Sequence, residues 1–310
     1  MDLVYVVAGL VLLVLAGDAL VRGAVNLSLR LGIPALVVGL TVVAFGTSAP
    51  EMLVSVQAVL NNAPGIALGN VVGSNIANIL LVLGIPALIT TIHSSRLGLT
   101  RGYVTMLLAS ALFIALAFVG PFSRWHALVL LAGLGLMLWD SYRSAMAHRE
   151  TADDALEGAD PAMAWWKIGA FIVVGLIGLP LGAGFLVDGA SNIARDLGIS
   201  ETVIGLTLVA VGTSLPELAT SVIAAFKKRA EVAMGNVIGS NIFNLLGIVG
   251  VAGLVGDIPV PDSMLRVDLW VMLGASLLLI PFILLRSDIT RLVGVVFLAA
   301  YVGYTVSLVV

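Results

Sequence analysis

Two glutamates stand in stretches that are otherwise apolar enough to lie in lipid. Glu51 belongs to AFGTSAPEMLVSV, residues 44–56, and Glu217 to AVGTSLPELATSV, residues 210–222. Each directly follows a proline, Pro50 or Pro216, and each lies four residues beyond a threonine, Thr47 or Thr213. A carboxylate at membrane depth costs roughly 2.5 kcal/mol or more unless something pairs with it. A proline within a helix removes one backbone hydrogen bond and clashes with the preceding turn. The kink would loosen carbonyls around Ala44 and Thr47, and by the same offset around Ala210 and Thr213. Freed carbonyls are tolerated in lipid only where they line a cavity or meet a ligand. With Ser48 and Ser214 beside the prolines, each stretch predicts half of a cation site.

A second motif follows each of the first. GNVVGSNIANIL occupies residues 69–80 and GNVIGSNIFNLL residues 235–246. Ser74 and Asn78 are four apart and share a helix face, as do Ser240 and Asn244. The pooled donors are two carboxylates, two amide oxygens, hydroxyls and carbonyls, with no imidazole or thiolate among them. That set suits Ca²⁺ or Na⁺ and disfavours zinc or copper. Two glutamates would neutralise one Ca²⁺ or two Na⁺.

The elements that must position these groups follow from composition. The 310 residues are 60% hydrophobic and only 11% charged, with mean hydropathy +1.14 and no cysteine. Soluble domains carry about 25% charged residues, so no soluble domain fits. Runs of about 20 apolar residues predict helices rather than the alternation of a membrane barrel. Ten spans are expected near 3–28, 34–60, 66–89, 102–119, 125–141, 167–194, 200–226, 231–255, 268–285 and 291–309. No basic segment precedes the first apolar run, so it reads as a membrane helix and not a cleaved signal. With the N-terminus outside, the inward connections hold 12 of the 15 Lys and Arg residues and the outward ones 3. That asymmetry predicts an N-out, C-out protein.

The halves repeat. Residues 44–84 and 210–250 share 20 identities in 41 positions without a gap, mostly Gly, Pro, Ser, Thr, Asn and Glu. Apolar composition alone cannot generate that list. An odd number of spans per half inverts the second copy in the membrane, and inverted repeats point to a secondary transporter with its site near the midplane. The expected organisation is a first five-helix repeat over 1–141, a cytoplasmic linker over 142–166, and a second repeat over 167–310.

Other polar features have plainer explanations. Asn70, Asn75, Asn236 and Asn241 read as interhelical ties or helix caps and not as ligands, and Ser55 and Ser221 as hydroxyls bonding their own helices. Asp18, Arg22 and Asp188 read as pairing or snorkelling near helix ends. Lys227, Lys228 and Arg229 read as a topology anchor, with a lipid-headgroup site as the sharper alternative. Trp165 and Trp166 beside Lys167 read as an interfacial anchor. His93, His126 and His148 suggest no metal. The acidic stretch Glu150, Asp153, Asp154, Glu157 and Asp160 lacks the spacing of a calcium loop and reads as a solvated linker.

GTSAPE with GNVVGSNIAN, and GTSLPE with GNVIGSNIFN, resemble the α-repeats of the cation/calcium exchanger superfamily, and most of all the prokaryotic sodium/calcium exchanger branch. The resemblance covers 23–89 and 189–255 well and the remainder by topology. It implies ten helices, an all-α membrane protein, and four ion sites enclosed by helices 2, 3, 7 and 8, with helices 1 and 6 sliding as gates. It implies Glu51 and Glu217 as central Ca²⁺ and Na⁺ ligands, carbonyls and hydroxyls from Thr47 and Thr213, carbonyls from Ala44 and Ala210, hydroxyls from Ser74 and Ser240, and the amide of Asn78. One position departs: many exchangers of this branch carry an aspartate where this chain has Asn244. Expected substrates are Na⁺ and Ca²⁺, exchanged across a cell membrane without cofactor, covalent chemistry, nucleic acid or an obligate protein partner. Coupling to K⁺ or H⁺, and a cation channel, are the alternatives.

Overall fold

The computed structural model describes residues 2–93, 98–147, 160, 162–197 and 210–308. The acidic residues 150–157, His148, and the start of the expected seventh span lie outside the described residues. Helices account for the described chain: α1 (Asp2–Leu31), α2 (Ala35–Thr47), α3 (Ala49–Leu60), α4 (Pro64–Ile89), α5 (Thr100–Val119), α6 (Arg124–Ala147), α7 (Trp165–Asp196), α8 (Ala210–Thr213), α9 (Leu215–Phe226), α10 (Ala230–Val255), α11 (Met264–Ile283) and α12 (Arg291–Ser307). Six of them (α1, α4, α5, α7, α10 and α11) are long and apolar enough to cross a bilayer, and the bent pair α2–α3 makes a seventh. No strand forms among the described residues. Extended pairing there is confined to two isolated bridges, Ile92 with Ile289 and Phe122 with Ile258.

The interior is built on α4 and α10, whose apolar side chains Leu68, Ile76, Ile79, Ile238, Ile242 and Leu245 are fully buried. Against this block lie the two longest helices, α1 and α7, running antiparallel along their whole length. Small residues set how near they come. A Cβ added at Gly9 would lie 2.6 Å from the Leu186 amide nitrogen, and one at Gly175 would lie 2.5 Å from the Leu20 Cβ. Such close approach is how membrane helices gain dispersion energy where lipid offers no hydrophobic drive. The pair is tied at both ends. Asn192 Nδ2 donates to Asp2 Oδ1 at 2.9 Å, and the Arg30 guanidinium stands 5.7 Å from the Trp165 ring centroid.

The proline motifs do not kink a continuous helix, as the sequence suggests. They start new ones. Ser48 (φ −82°, ψ 0°) and Ser214 (φ −89°, ψ 3°) leave the helical region, and Pro50 and Pro216 fall in the first turns of α3 and α9. There the missing N–H would have had no partner in any case. The axis bends by 42° between α2 and α3. Two backbone bonds cross this break, Ser48 N–H to the Ala44 carbonyl at 3.0 Å and Met52 N–H to the Ser48 carbonyl at 3.1 Å. Ala44 C=O is thus not freed by the break, while neither bond ends on Gly46 or Thr47. The glycine of each GTS is required by α7, which passes over both breaks. A Cβ at Gly46 would stand 2.0 Å from Leu176 Cδ2, and one at Gly212 2.4 Å from Val187 Cγ2.

Among the described residues three helices widen locally to π turns, at Gly39–Val43, Phe243–Ile248 and Met264–Asp268. The second of these contains Asn244.

Candidate cation site

The breaks carry Glu51 and Glu217 into the centre of the helix bundle, where both are 0% exposed. Ser48 reaches across from the first half, its hydroxyl donating to Glu217 Oε1 at 3.3 Å. Thr47 lies beside the second half: its hydroxyl donates to Asn236 Oδ1 at 3.0 Å and is 3.4 Å from Ser240 Oγ. The GTS residues of one half therefore touch the glutamate, serine and asparagine motifs of the other. Ser74 (4% exposed), Asn78 and Asn244 (each 0%) are buried on α4 and α10. Ala44 is fully buried, and a Cβ at Gly239 would come within 2.6 Å of its own Cβ, so α2 and α10 are in backbone-close contact there. Thr213 differs from Thr47 in being only half-buried. Ala210 opens the short helix α8.

The polar atoms left without a partner define the site. Among the described residues ten buried side-chain N and O atoms have no hydrogen-bond partner, and seven of them belong to Glu51 (both carboxylate oxygens), Glu217 (Oε2), Asn78 (Oδ1), Asn244 (both amide atoms) and Ser214 (Oγ). An ionised carboxylate so enclosed costs several kcal/mol. Unsatisfied buried atoms are few in a folded protein, and a cluster of them calls for a partner that the fold itself does not supply. Among the described residues no three of His, Cys, Asp and Glu come together, so a cation here would be held by two carboxylates plus neutral oxygens. That coordination suits a hard ion.

Four asparagines outside the expected ligand set tie the motifs together, and the ties repeat at the offset of 166. Asn70 Nδ2 donates to the Glu51 carbonyl (3.2 Å) and to Ser55 Oγ (3.0 Å). Asn236 Nδ2 does the same to the Glu217 carbonyl and Ser221 Oγ, both at 3.4 Å. Asn75 and Asn241 each donate to the other's backbone carbonyl, at 3.2 and 3.3 Å. The interhelical role expected of these asparagines holds, but Ser55 and Ser221 serve as acceptors between helices. The sequence signal that would have found this is the fixed spacing of 19 between Glu and Asn, and of 15 between Ser and Asn, in both halves.

The surroundings are not symmetric. α1 packs along α9, where a Cβ at Gly17 would lie 3.2 Å from Ile223 Cγ1, whereas α7 barely touches the corresponding α3. Between α7 and the two breaks lies a cavity of about 180 Å³ lined by Pro50, Gly184, Val187, Asp188, Thr213 and Pro216, among others. It shares Val187 and Asp188 with a wider one of about 380 Å³ that reaches Tyr5 and Arg195. At the α1–α9 seam, by contrast, Asp18 Oδ2 accepts from Arg22 Nε at 2.7 Å, and its other oxygen pairs with Lys227. Among the described residues, the α7–α3 seam is open and the α1–α9 seam is sealed.

Comparison with known proteins agrees with this architecture. The family model described as sodium/calcium exchanger protein matches residues 1–142 and 167–310. The chain is 36% identical over 309 residues to the putative antiporter CaxA of Alkalimonas amylolytica, covering 97% of this chain and 96% of that one. It is 35% identical to the sodium/calcium exchanger MaX1 of Methanosarcina acetivorans, with the same coverage. The solved structure of the sodium-calcium exchanger NCX_Mj, soaked with Na⁺ and Ca²⁺, superposes with TM-score 0.85 at 36% identity, covering 99% of this chain and 98% of that one. The chain is a multi-pass membrane protein and belongs to the sodium/calcium exchanger family.

Proposed function

We propose that this protein is an antiporter that exchanges Na⁺ for Ca²⁺ by alternating access at a midplane site built on Glu51 and Glu217. Thr47, Ser48, Ser74 and Asn78 from one half, with Thr213, Ser214, Ser240 and Asn244 from the other, supply neutral oxygens; at the flanks stand the Ala210 carbonyl and the second lone pair of the Ala44 carbonyl, whose first accepts from Ser48 N–H. The observation that carries this reading is the concentration of partnerless buried oxygens on those residues. Two carboxylates balance one Ca²⁺ without residual charge. Ten helices in two inverted repeats, with both termini outside, fit the repeated hydrogen bonds at the offset of 166, the two bridges, and the distribution of Lys and Arg. Alternating access is supported by the contrast between the open α7–α3 gap and the sealed α1–α9 seam. Inverted halves supply a second state in which the two exchange character.

Reconstituted vesicles test the proposal. ⁴⁵Ca²⁺ uptake should saturate and should require Na⁺ on the opposite side. Uptake that runs down its own gradient without a counter-ion would overturn it.

A further inference from the structure

We propose that Asn241 and Asn75 are positioning residues that set the polarity of the site amides, turning the oxygen of Asn78, and of Asn244, toward the cation. The inference rests on the cation site proposed above and deepens it.

A carboxamide has two ends of nearly equal size and opposite polarity. Turned one way it offers a cation a lone pair, and turned the other way two N–H donors. A carboxylate or hydroxyl faces no such choice. With asparagine at both 78 and 244, this chain must solve the problem twice.

The solution on one half is complete. Asn241 Nδ2 donates to the Asn75 backbone carbonyl at 3.3 Å and to Met106 Sδ at 3.7 Å. Both partners can only accept, so the NH₂ end of Asn241 is fixed and its Oδ1 must face the other way. There it accepts from Asn78 Nδ2 at 3.0 Å. That bond uses the amide nitrogen of Asn78 and leaves Asn78 Oδ1 buried without a partner, as a cation ligand should be. A backbone carbonyl and a thioether thus dictate, through one intermediate amide, which atom Asn78 presents.

The other half holds the same parts. Asn75 Nδ2 donates to the Asn241 carbonyl at 3.2 Å and to Met272 Sδ at 3.9 Å, so Asn75 Oδ1 is likewise fixed as an acceptor. Its counterpart partner is Asn244 Nδ2. In this structure both atoms are buried and partnerless. The local difference is the π turn Phe243–Ile248, which contains Asn244, whereas Asn78 lies in regular α-helix. A π turn holds an extra residue and carries its side chains off α register. The relay is therefore closed on the half of Asn78 and open on the half of Asn244, and regularising the π turn is what would close it.

A double-mutant cycle separates this role from packing. Asn241→Leu keeps the branched shape, with somewhat larger ends, and removes the relay. Alone, it should raise the KM for Ca²⁺ by about tenfold or more, the loss expected of a charge-assisted contact, with a smaller change in maximal rate. In an Asn78→Asp background, whose side chain has oxygens at both ends and would face Asn241 Oδ1 with one of them, the same substitution should leave KM unchanged or lower it. Asn75→Leu measured with and without Asn244→Asp gives an independent cycle should the first variant fold poorly. An equal cost in both backgrounds would overturn the relay and leave the site intact. Full Ca²⁺ flux in both Glu51→Gln and Glu217→Gln would instead remove the site, and the relay with it.

Discussion

Lys227→Gln should loosen the sealed side of the protein by a measurable and modest amount. Asp18 sits on α1 with one carboxylate oxygen on Arg22 Nε (2.7 Å) and the other on Lys227, just beyond the end of α9. No equivalent exists on the open side, because the residues 166 positions away from Asp18, Arg22 and Lys227 are Gly184, Asp188 and Asn61. The side chains of Lys227 and Asp18 are 29% and 32% exposed, so the pair belongs near the upper end of what solvent-accessible ion pairs contribute, about 1 kcal/mol. Removing Lys227 leaves Asp18 still bonded to Arg22, which avoids the larger penalty of orphaning a charge. One kcal/mol shifts a two-state equilibrium roughly fivefold. The absence of cysteine makes single-cysteine reporters clean. Val21, 1% exposed and packed against the α9 side of the seam, reports the sealed approach, and Val187, lining the cavity, reports the open one. With a membrane-impermeant maleimide, Lys227→Gln should raise labelling of Val21→Cys about two- to fivefold and lower that of Val187→Cys. Asp18→Asn should do more, since it removes both partners, and the exchange Asp18→Lys with Lys227→Asp should restore part of the parental pattern. Unchanged rates, or rates rising together at both reporters, would refute a one-sided latch.

Glu51→Gln and Glu217→Gln should each abolish Ca²⁺ transport while the protein still folds, because a neutral amide relieves the buried charge; purified variants with parental thermal stability but no ⁴⁵Ca²⁺ flux are expected. Asn244→Asp adds a third carboxylate to the two present, so charge moved per Ca²⁺ in voltage-clamped vesicles should change, and an unchanged ratio with an unchanged Na⁺ dependence would count against charge control by the site. Gly46→Ala should impair exchange or folding, since its Cβ would meet Leu176 Cδ2 at 2.0 Å; overpacking of this kind costs about 1–3 kcal/mol, and adding Leu176→Ala should recover part of the loss. Gly178→Leu should separate α1 from α7, where even a Cβ would be 2.7 Å from that of Ala16, and a lowered melting temperature is the measurement.

The helical class, the duplication and the two buried glutamates on which the proposed site rests are legible in the residues alone. These follow from local facts: a glutamate in an apolar run is costly wherever the run lies, and 20 identities at one offset, most of them polar or small residues, arise only by repetition. Period and composition also located the long helices to within a few residues. Tertiary structure decided what depends on neighbours far along the chain. Pro50 and Pro216 read as kinks, yet they begin new helices, because the break lies at the preceding serine, which no local rule singles out. The asparagines of GNxxGSN read alike as interhelical ties; only packing distinguishes Asn70 and Asn236, which hold the glutamate helices, from Asn75 and Asn241, which clasp each other's backbones. The difference between halves of nearly identical sequence is likewise a property of the assembled helices. Thr47 is buried and Thr213 half-buried, and α1 lies along α9 while α7 stands off α3; neither difference can be read from two motifs that are nearly the same.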